Sequence, residues 1–286
     1  MLLKPTRLFN PIYFQIGILL AVFIGLYFTV IQTMVRDWGV DANYSHGYFI
    51  PFLSAFMIYT KRREIQSLDV SRSNWGLPFI LIGLIQLTLA KIGSEYFLQR
   101  TSMILVLLGI SLFVMGKTLT KKISFPILYL IFMVPIPAII WNKFAFPMQL
   151  FSSSLTEWVI QMMRIPVFRE GNMLHLGETS LEVVNACSGL RALISMLTLS
   201  AAFAYLSSHS RAKKWILFLS ATPIAILVNI IRLTFTAVLV NQFGESAAQG
   251  FLHDFSGWAI FLVGLAMLVG VHLVLSKGEI CRKSTK

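Results

Sequence analysis

Between Pro11 and Val35 the chain carries no charged side chain. Similar uncharged stretches run from Gly76 to Ala90, from Trp215 to Ile231 and from Phe255 to Ser276. A run of about 20 apolar residues wound as a helix crosses the ~30 Å hydrocarbon core of a bilayer. Lipid offers backbone groups no hydrogen-bond partners, so such segments must pair their N–H and C=O groups internally. Composition points the same way. Hydrophobic residues make up 56% of the 286 and charged residues 13%, about half the ~25% charged residues usual in soluble domains. The expected fold class is therefore an all-α, polytopic membrane helical bundle, read as a single integral membrane domain over residues 1–286.

About eight transmembrane helices are expected: Ile12–Met34, Tyr48–Thr60, Gly76–Gly93, Thr101–Gly116, Ile123–Trp141, Ala186–Leu206, Trp215–Val240 and Gly257–Leu275. The first follows Lys4 and Arg7 and resembles a signal peptide. It is too long for a signal h-region and no small-x-small cleavage site follows, so it reads as a retained helix. Segments 1–11, 61–75, 117–122, 207–214 and 276–286 hold 16 of the 24 Lys and Arg residues, but only Glu64, Asp69 and Glu279 among the 12 acids. The positive-inside rule assigns these five segments, including the basic tail 276–286, to the cytoplasm. Eight helices then return both termini to that side.

On the opposite side the same pattern leaves one long loop, roughly Asn142 to Asn185. Its first part, Phe144–Val167, is aromatic and amphipathic, and reads as interfacial or re-entrant. Its second part, Met173–Val184, alternates around Gly177-Glu178-Thr179 and reads as a short outer-face hairpin before the sixth helix.

The net charge of +12 sits in short clusters between apolar runs and forms no nucleic-acid motif. Nucleic acid is thus not an expected partner; the lipid bilayer is. Two cysteines, Cys187 and Cys281, imply no disulfide framework, and the topology puts them on opposite sides of the membrane. His175, His209 and His272 have no metal-ligand spacing, and no zinc, nucleophile-elbow or dinucleotide motif occurs. No metal and no cofactor is expected. None of the eight expected helices contains an Asp, which argues against an intramembrane aspartyl protease.

Four polar constellations stand out against this background. In Asn185-Ala186-Cys187-Ser188-Gly189-Leu190-Arg191, Asn185 is a plausible N-cap for the sixth helix. Cys187 would then lie in the first turn, where the helix dipole favours a thiolate, with Arg191 on the same face. The alternative is a small apolar Cys in a packed helix. In Asn229-Ile230-Ile231-Arg232, the two polar residues share a face of the seventh helix, with Arg232 about 12 Å below its outer end. An arginine at a membrane helix centre costs roughly 2.5–3.5 kcal/mol on insertion scales, which favours a functional role over snorkelling or a structural ion pair. In His253-Asp254-Phe255-Ser256-Gly257, His253 precedes the eighth helix and is suited to proton transfer, or is simply polar surface. In Asp41-Ala42-Asn43-Tyr44-Ser45-His46-Gly47, Asn43 and His46 belong either to a substrate-binding loop or to a capped turn. The topology puts Cys187, Arg232 and His253 toward one leaflet, although none of them was used to fix it.

The Ala-Cys-Ser-Gly-Leu-Arg run, the Asn-x-x-Arg of a later helix and the His-x-x-x-Gly before the last helix resemble the exosortases, of the exosortase/archaeosortase family. Asn43-Tyr44-Ser45-His46-Gly47, Met133-Val134-Pro135-Ile136-Pro137 and Glu170-Gly171-Asn172 extend the resemblance over about Asp41 to Gly257. It implies a cysteine peptidase or transpeptidase with Cys187 as nucleophile and Arg232 and His253 completing the site. Asn185, Arg191, Asn229, Asn43 and His46 would support it or bind substrate. It further implies a bacterial inner membrane location, a site facing the periplasm and a link to exopolysaccharide production. The implied partners are secreted proteins with a C-terminal tripartite signal of the PEP-CTERM type: a short motif, a membrane helix and a basic end. Soluble sortases use similar residues on an unrelated β-barrel. The competing reading is a transporter or polysaccharide-export component without covalent chemistry. Oligomeric state and acceptor nucleophile are not legible in the residues.

Overall fold

The computed structural model describes residues 11–68, 71–176, 179–182, 189–244 and 251–284, with the backbone alone at 11–13, 16, 179, 182, 243, 251–256 and 278–284. The chain divides into two compact units, Met1–Ile136 and Pro137–Lys286. Among the described residues, four helical segments are long and apolar enough to cross a membrane: Gly17–Val40, Tyr96–Met133, Arg211–Gln242 and Gly257–Lys277. Shorter apolar helices accompany them, at Gly76–Ile92 and Leu190–Leu206. Their outward faces are greasy: Phe14, Val22 and Phe28 on the first helix and Leu81, Ile85 and Leu89 on Gly76–Ile92 are all exposed. Exposed apolar faces of this kind mark contact with lipid or another protein. The chain is a multi-pass helical membrane protein.

The first unit begins with α1 (Pro11–Val40). It buries Phe23, Tyr27, Val30, Met34 and Trp38, the three-to-four-residue spacing of one helix face. A 3-10 turn (Ala42–Tyr48), α2 (Ile50–Thr60) and α3 (Arg62–Gln66) follow. Next come α4 (Gly76–Ile92) and α5 (Tyr96–Tyr129). These two pack closely, because a Cβ on Gly76, Gly83 or Gly109 would run into the partner helix. The helix α5 is broken at Gly116, whose φ of 77° only glycine adopts readily, and whose Cα lies against the Ser71 carbonyl.

Two segments assigned to one side by charge, 61–75 and 117–122, meet at one end of this unit, beside the start of α1. Glu64 accepts from Lys61 (2.9 Å) and Lys122 (2.8 Å), and Arg72 donates to Gln15 at 2.7 Å. The bonds from Lys122 and Lys61 hold the Glu64 carboxyl down at about 2. At the other end Arg100 is salt-bridged to Asp37.

The second unit opens with α6 (Ala138–Met162). An antiparallel meander follows: β1 (Phe168–Glu170), β2 (Met173–Leu176) and β3 (Thr179–Glu182). Then come α7 (Leu190–Leu206), α8 (Arg211–Phe243) and α9 (Phe251–Ser284). Glu170 pairs with Met173, so Gly171 (φ 61°) and Asn172 make a two-residue turn. Leu174 and Leu176 of β2 face inward and pack with Ile160, Leu233, Ala237 and Val240. That fixes the sheet against α6 and the C-terminal half of α8. At the opposite end of α8, Lys214 donates to the Tyr205 carbonyl and Lys213 to that of Leu275. His209 and His272 lie 3.1 Å apart there. The segment 207–214, assigned to the cytoplasm by charge, thus packs beside the part of α9 that leads into the other basic segment, 276–286.

Several expected boundaries are corrected. The helix expected at Ile123–Trp141 ends at Tyr129 and passes through a 3-10 turn (Leu130–Met133). Val134 is extended (φ −84°, ψ 117°). Pro135 and Pro137 push the residues before them out of helical geometry, so the helix cannot continue. The segment expected as an interfacial or re-entrant loop, Phe144–Val167, is mostly the helix α6, although not among those apolar enough to cross. The hairpin gains a third strand, β1. Finally, α1 reaches Val40 and takes in Asp37, and α9 begins at Phe251 and takes in Asp254. The observed helices α1 and α9, longer than expected, therefore do contain Asp residues; Asp37 is tied to Arg100.

Candidate functional site

Among the described residues, the buried polar centre of the second unit lies where α6, α8 and the start of α7 meet. Asn229 of α8 is only 2% exposed, and its Nδ2 donates to Ser152 Oγ of α6 at 3.2 Å. Its carboxamide also rests on the backbone of Gly189. A Cβ at 189 would come within 2.9 Å of Asn229 Cγ and Nδ2. Gly189 has φ 82° and ψ −8° and is the N-cap of α7. Both the left-handed conformation and the close approach require glycine.

This corrects the expected start of the sixth helix. A left-handed residue cannot lie inside a right-handed helix, so α7 begins at Leu190 rather than Ala186, and Gly189 rather than Asn185 is its cap. Cys187 precedes the first helical turn by three residues. Asn185 and Cys187 themselves lie outside the described residues. Arg191, on the first turn of α7, is half-buried.

Arg232 lies one turn beyond Asn229 on α8 and is half-buried. The helix continues to Phe243, which puts Arg232 about 16 Å from its end at ~1.5 Å per residue, deeper than the expected 12 Å. His253, expected just ahead of the last helix, has its backbone in the first turn of α9; its side chain is outside the described residues. The sequence reading missed α6. Gln149, Ser152, Ser153 and Thr156 are all buried, at the spacing of one helix face. Ser153 donates to the Gly171 carbonyl (3.2 Å), and Glu157 pairs with Arg169 (3.0 Å), so α6 also holds the β1–β2 turn.

Asn43 and His46 belong to the first unit, where the turn Ala42–Tyr48 is fastened inward. Asp41 caps it by accepting from Asn43 N at 2.9 Å. Tyr44 Oη accepts from Ile136 N at 3.1 Å and lies 3.3 Å from its carbonyl. Burial pushes the Tyr44 hydroxyl up to about 12. His46 Nε2 stands 3.2 Å from the Phe132 carbonyl. Burial lowers the His46 pKa, and carbonyl oxygens of Phe132 and Asn43 oppose that shift. Gly47 makes room for the Trp38 indole, which donates to the Met133 carbonyl at 2.8 Å. The side chain of His46 is thus used within the turn, whereas Ser45 is exposed.

No curated protein and no solved structure matches this chain. A protein-family profile does match: transmembrane exosortase (Exosortase_EpsH), over residues 38–270. That span takes in every motif on which the resemblance was drawn. The chain belongs to the transmembrane exosortase family.

Proposed function

We propose that the protein is a cysteine transpeptidase or protease that cuts the C-terminal tripartite signal from secreted proteins at the outer face of a bacterial inner membrane. The observation that carries this reading is the seating of Asn229 against Gly189. It draws the Asn-x-x-Arg stretch of α8 to the backbone two residues beyond Cys187. Family membership supports the reaction class; the residue roles are our assignment.

In this mechanism the Cys187 thiolate attacks the scissile carbonyl carbon, forming a C–S bond and an oxyanion. The guanidinium of Arg232 stabilises that oxyanion, and a half-buried setting strengthens the effect relative to water. Collapse breaks the C–N bond, and the leaving amine takes a proton from His253. Water or an acceptor amine then attacks the thioacyl carbon and gives a proton to His253. Cleavage of the C–S bond regenerates the thiolate. Arg191 favours the thiolate by its charge. Asn43 and His46 set the shape of the outer turn in the first unit.

Co-expression with a secreted protein bearing a candidate tail tests the proposal. The substrate should lose the mass of its membrane helix and basic end, or exchange it for an acceptor. The Cys187→Ser variant should leave it intact. A transporter would tolerate that substitution.

A further inference from the structure

Asn229 needs a particular orientation to do what its position demands. Its carboxamide lies against a glycine backbone with no room for a Cβ between them, and the side chain is buried. The two ends of an amide differ, one donating and the other accepting, so a half-turn about the terminal torsion would exchange them. Ser152 Oγ, 1% exposed as a residue and 3.2 Å from Nδ2, accepts from the donating end. The neighbouring hydroxyl, Ser153, is committed elsewhere, to the Leu150 and Gly171 carbonyls. The first hydrogen bond of α7 runs from Leu193 N to the Gly189 carbonyl at 2.8 Å. Whatever fixes the amide therefore bears on the residue that starts α7.

We propose that Ser152 is a positioning residue. Its hydroxyl sets the rotation of the Asn229 carboxamide, the carboxamide seats Gly189, and Gly189 sets the start of α7, ahead of which Cys187 stands in the sequence. This inference rests on the reading of Cys187 as nucleophile and adds a link from α6 that the motifs do not contain.

Thr and Val are close to isosteric and differ in the hydroxyl, so they separate hydrogen bonding from packing. The experiment uses the full chain in membranes with Cys281→Ser, so that Cys187 is the remaining thiol. Its alkylation by iodoacetamide is followed from about pH 5 to about pH 10 in wild type, Ser152→Thr and Ser152→Val. Ser152→Thr should stay within about twofold of wild type, and Ser152→Val should react about tenfold more slowly at neutral pH, one buried hydrogen bond being worth roughly that factor. If Ser152→Val does not accumulate, Ser152→Ala replaces it in the same comparison. Superimposable pH profiles for the hydroxyl and non-hydroxyl variants overturn the proposal. Failure of the underlying reading shows separately, as continued substrate processing by Cys187→Ala. In that case hydrogen–deuterium exchange across residues 190–195 decides whether Ser152 seats the start of α7. Faster exchange in Ser152→Val than in Ser152→Thr supports it, and equal exchange overturns it.

Discussion

Asn229 and Gly189 are packed so tightly that a methyl group on the glycine would lie 2.9 Å from the carboxamide carbon. Gly189→Ala therefore meets two obstacles, a left-handed φ of 82° and a steric overlap. The first costs roughly 1–2 kcal/mol and the second adds to it. Substrate processing should be lost and stability lowered by about 2 kcal/mol or more, read as an earlier denaturant midpoint in detergent. Gly270→Ala is the control: nothing lies within 4 Å of its added Cβ, and alanine in a helix gains about 1 kcal/mol over glycine.

The multi-pass helical architecture was legible because lipid-facing runs advertise themselves by length and lack of charge. The helix ends were less so. Hydropathy continues through Met133-Val134-Pro135-Ile136-Pro137, but the two prolines end the helix there, and their signal should have outweighed the hydropathy. Gly171-Asn172 is a recognised two-residue hairpin turn, yet it went unused as a turn, and β1 was missed with it. The polar face of α6 was hidden because Phe144, Phe146, Phe151 and Trp158 on its other side are exposed and aromatic. The Gly189–Asn229 contact could not be read at all, since it joins positions forty residues apart in sequence. Cys187, at the centre of the functional assignment, comes from sequence and family membership alone.

The charge-based topology gains an independent handle from Glu64. It bridges Lys61 and Lys122, which belong to two different basic segments. Introduced cysteines at positions 64 and 122 should be joined by a flexible bifunctional thiol reagent, which replaces the reach of the lysine and glutamate side chains that meet at 2.8 Å; direct disulfide formation would need a closer backbone approach. Membrane-impermeant thiol reagents should label neither position from the periplasmic side, nor any introduced site in 207–214. Labelling of 207–214 from outside would overturn the topology.

His46 should make the outer turn of the first unit acid-sensitive. Burial lowers its pKa below the usual 6.5, so the folded state binds fewer protons there than the unfolded state. The stabilising contribution is complete above about pH 6.5 and declines as pH falls toward the lower folded value. Thermal melts should show a loss on acidification that His46→Gln lacks. An identical acid dependence in both proteins would remove His46 as its cause.

Arg232→Lys keeps the charge but loses the planar fork of donors. If Arg232 holds a developing oxyanion, the lysine variant should insert and accumulate normally yet process substrate about 10²–10³-fold more slowly. Arg232→Ala should be no better. Full processing by Arg232→Lys at matched protein levels would leave charge alone as the requirement.

The central claim is that Cys187 forms a covalent thioacyl bond with the substrate. The most direct measurement is to isolate the protein during turnover of a tailed substrate and determine its intact mass. A species heavier by the substrate's N-terminal portion should appear, release that portion on hydroxylamine treatment, and be missing in Cys187→Ala, which should also leave the substrate uncleaved. Complete cleavage by Cys187→Ala at wild-type protein levels would contradict the account.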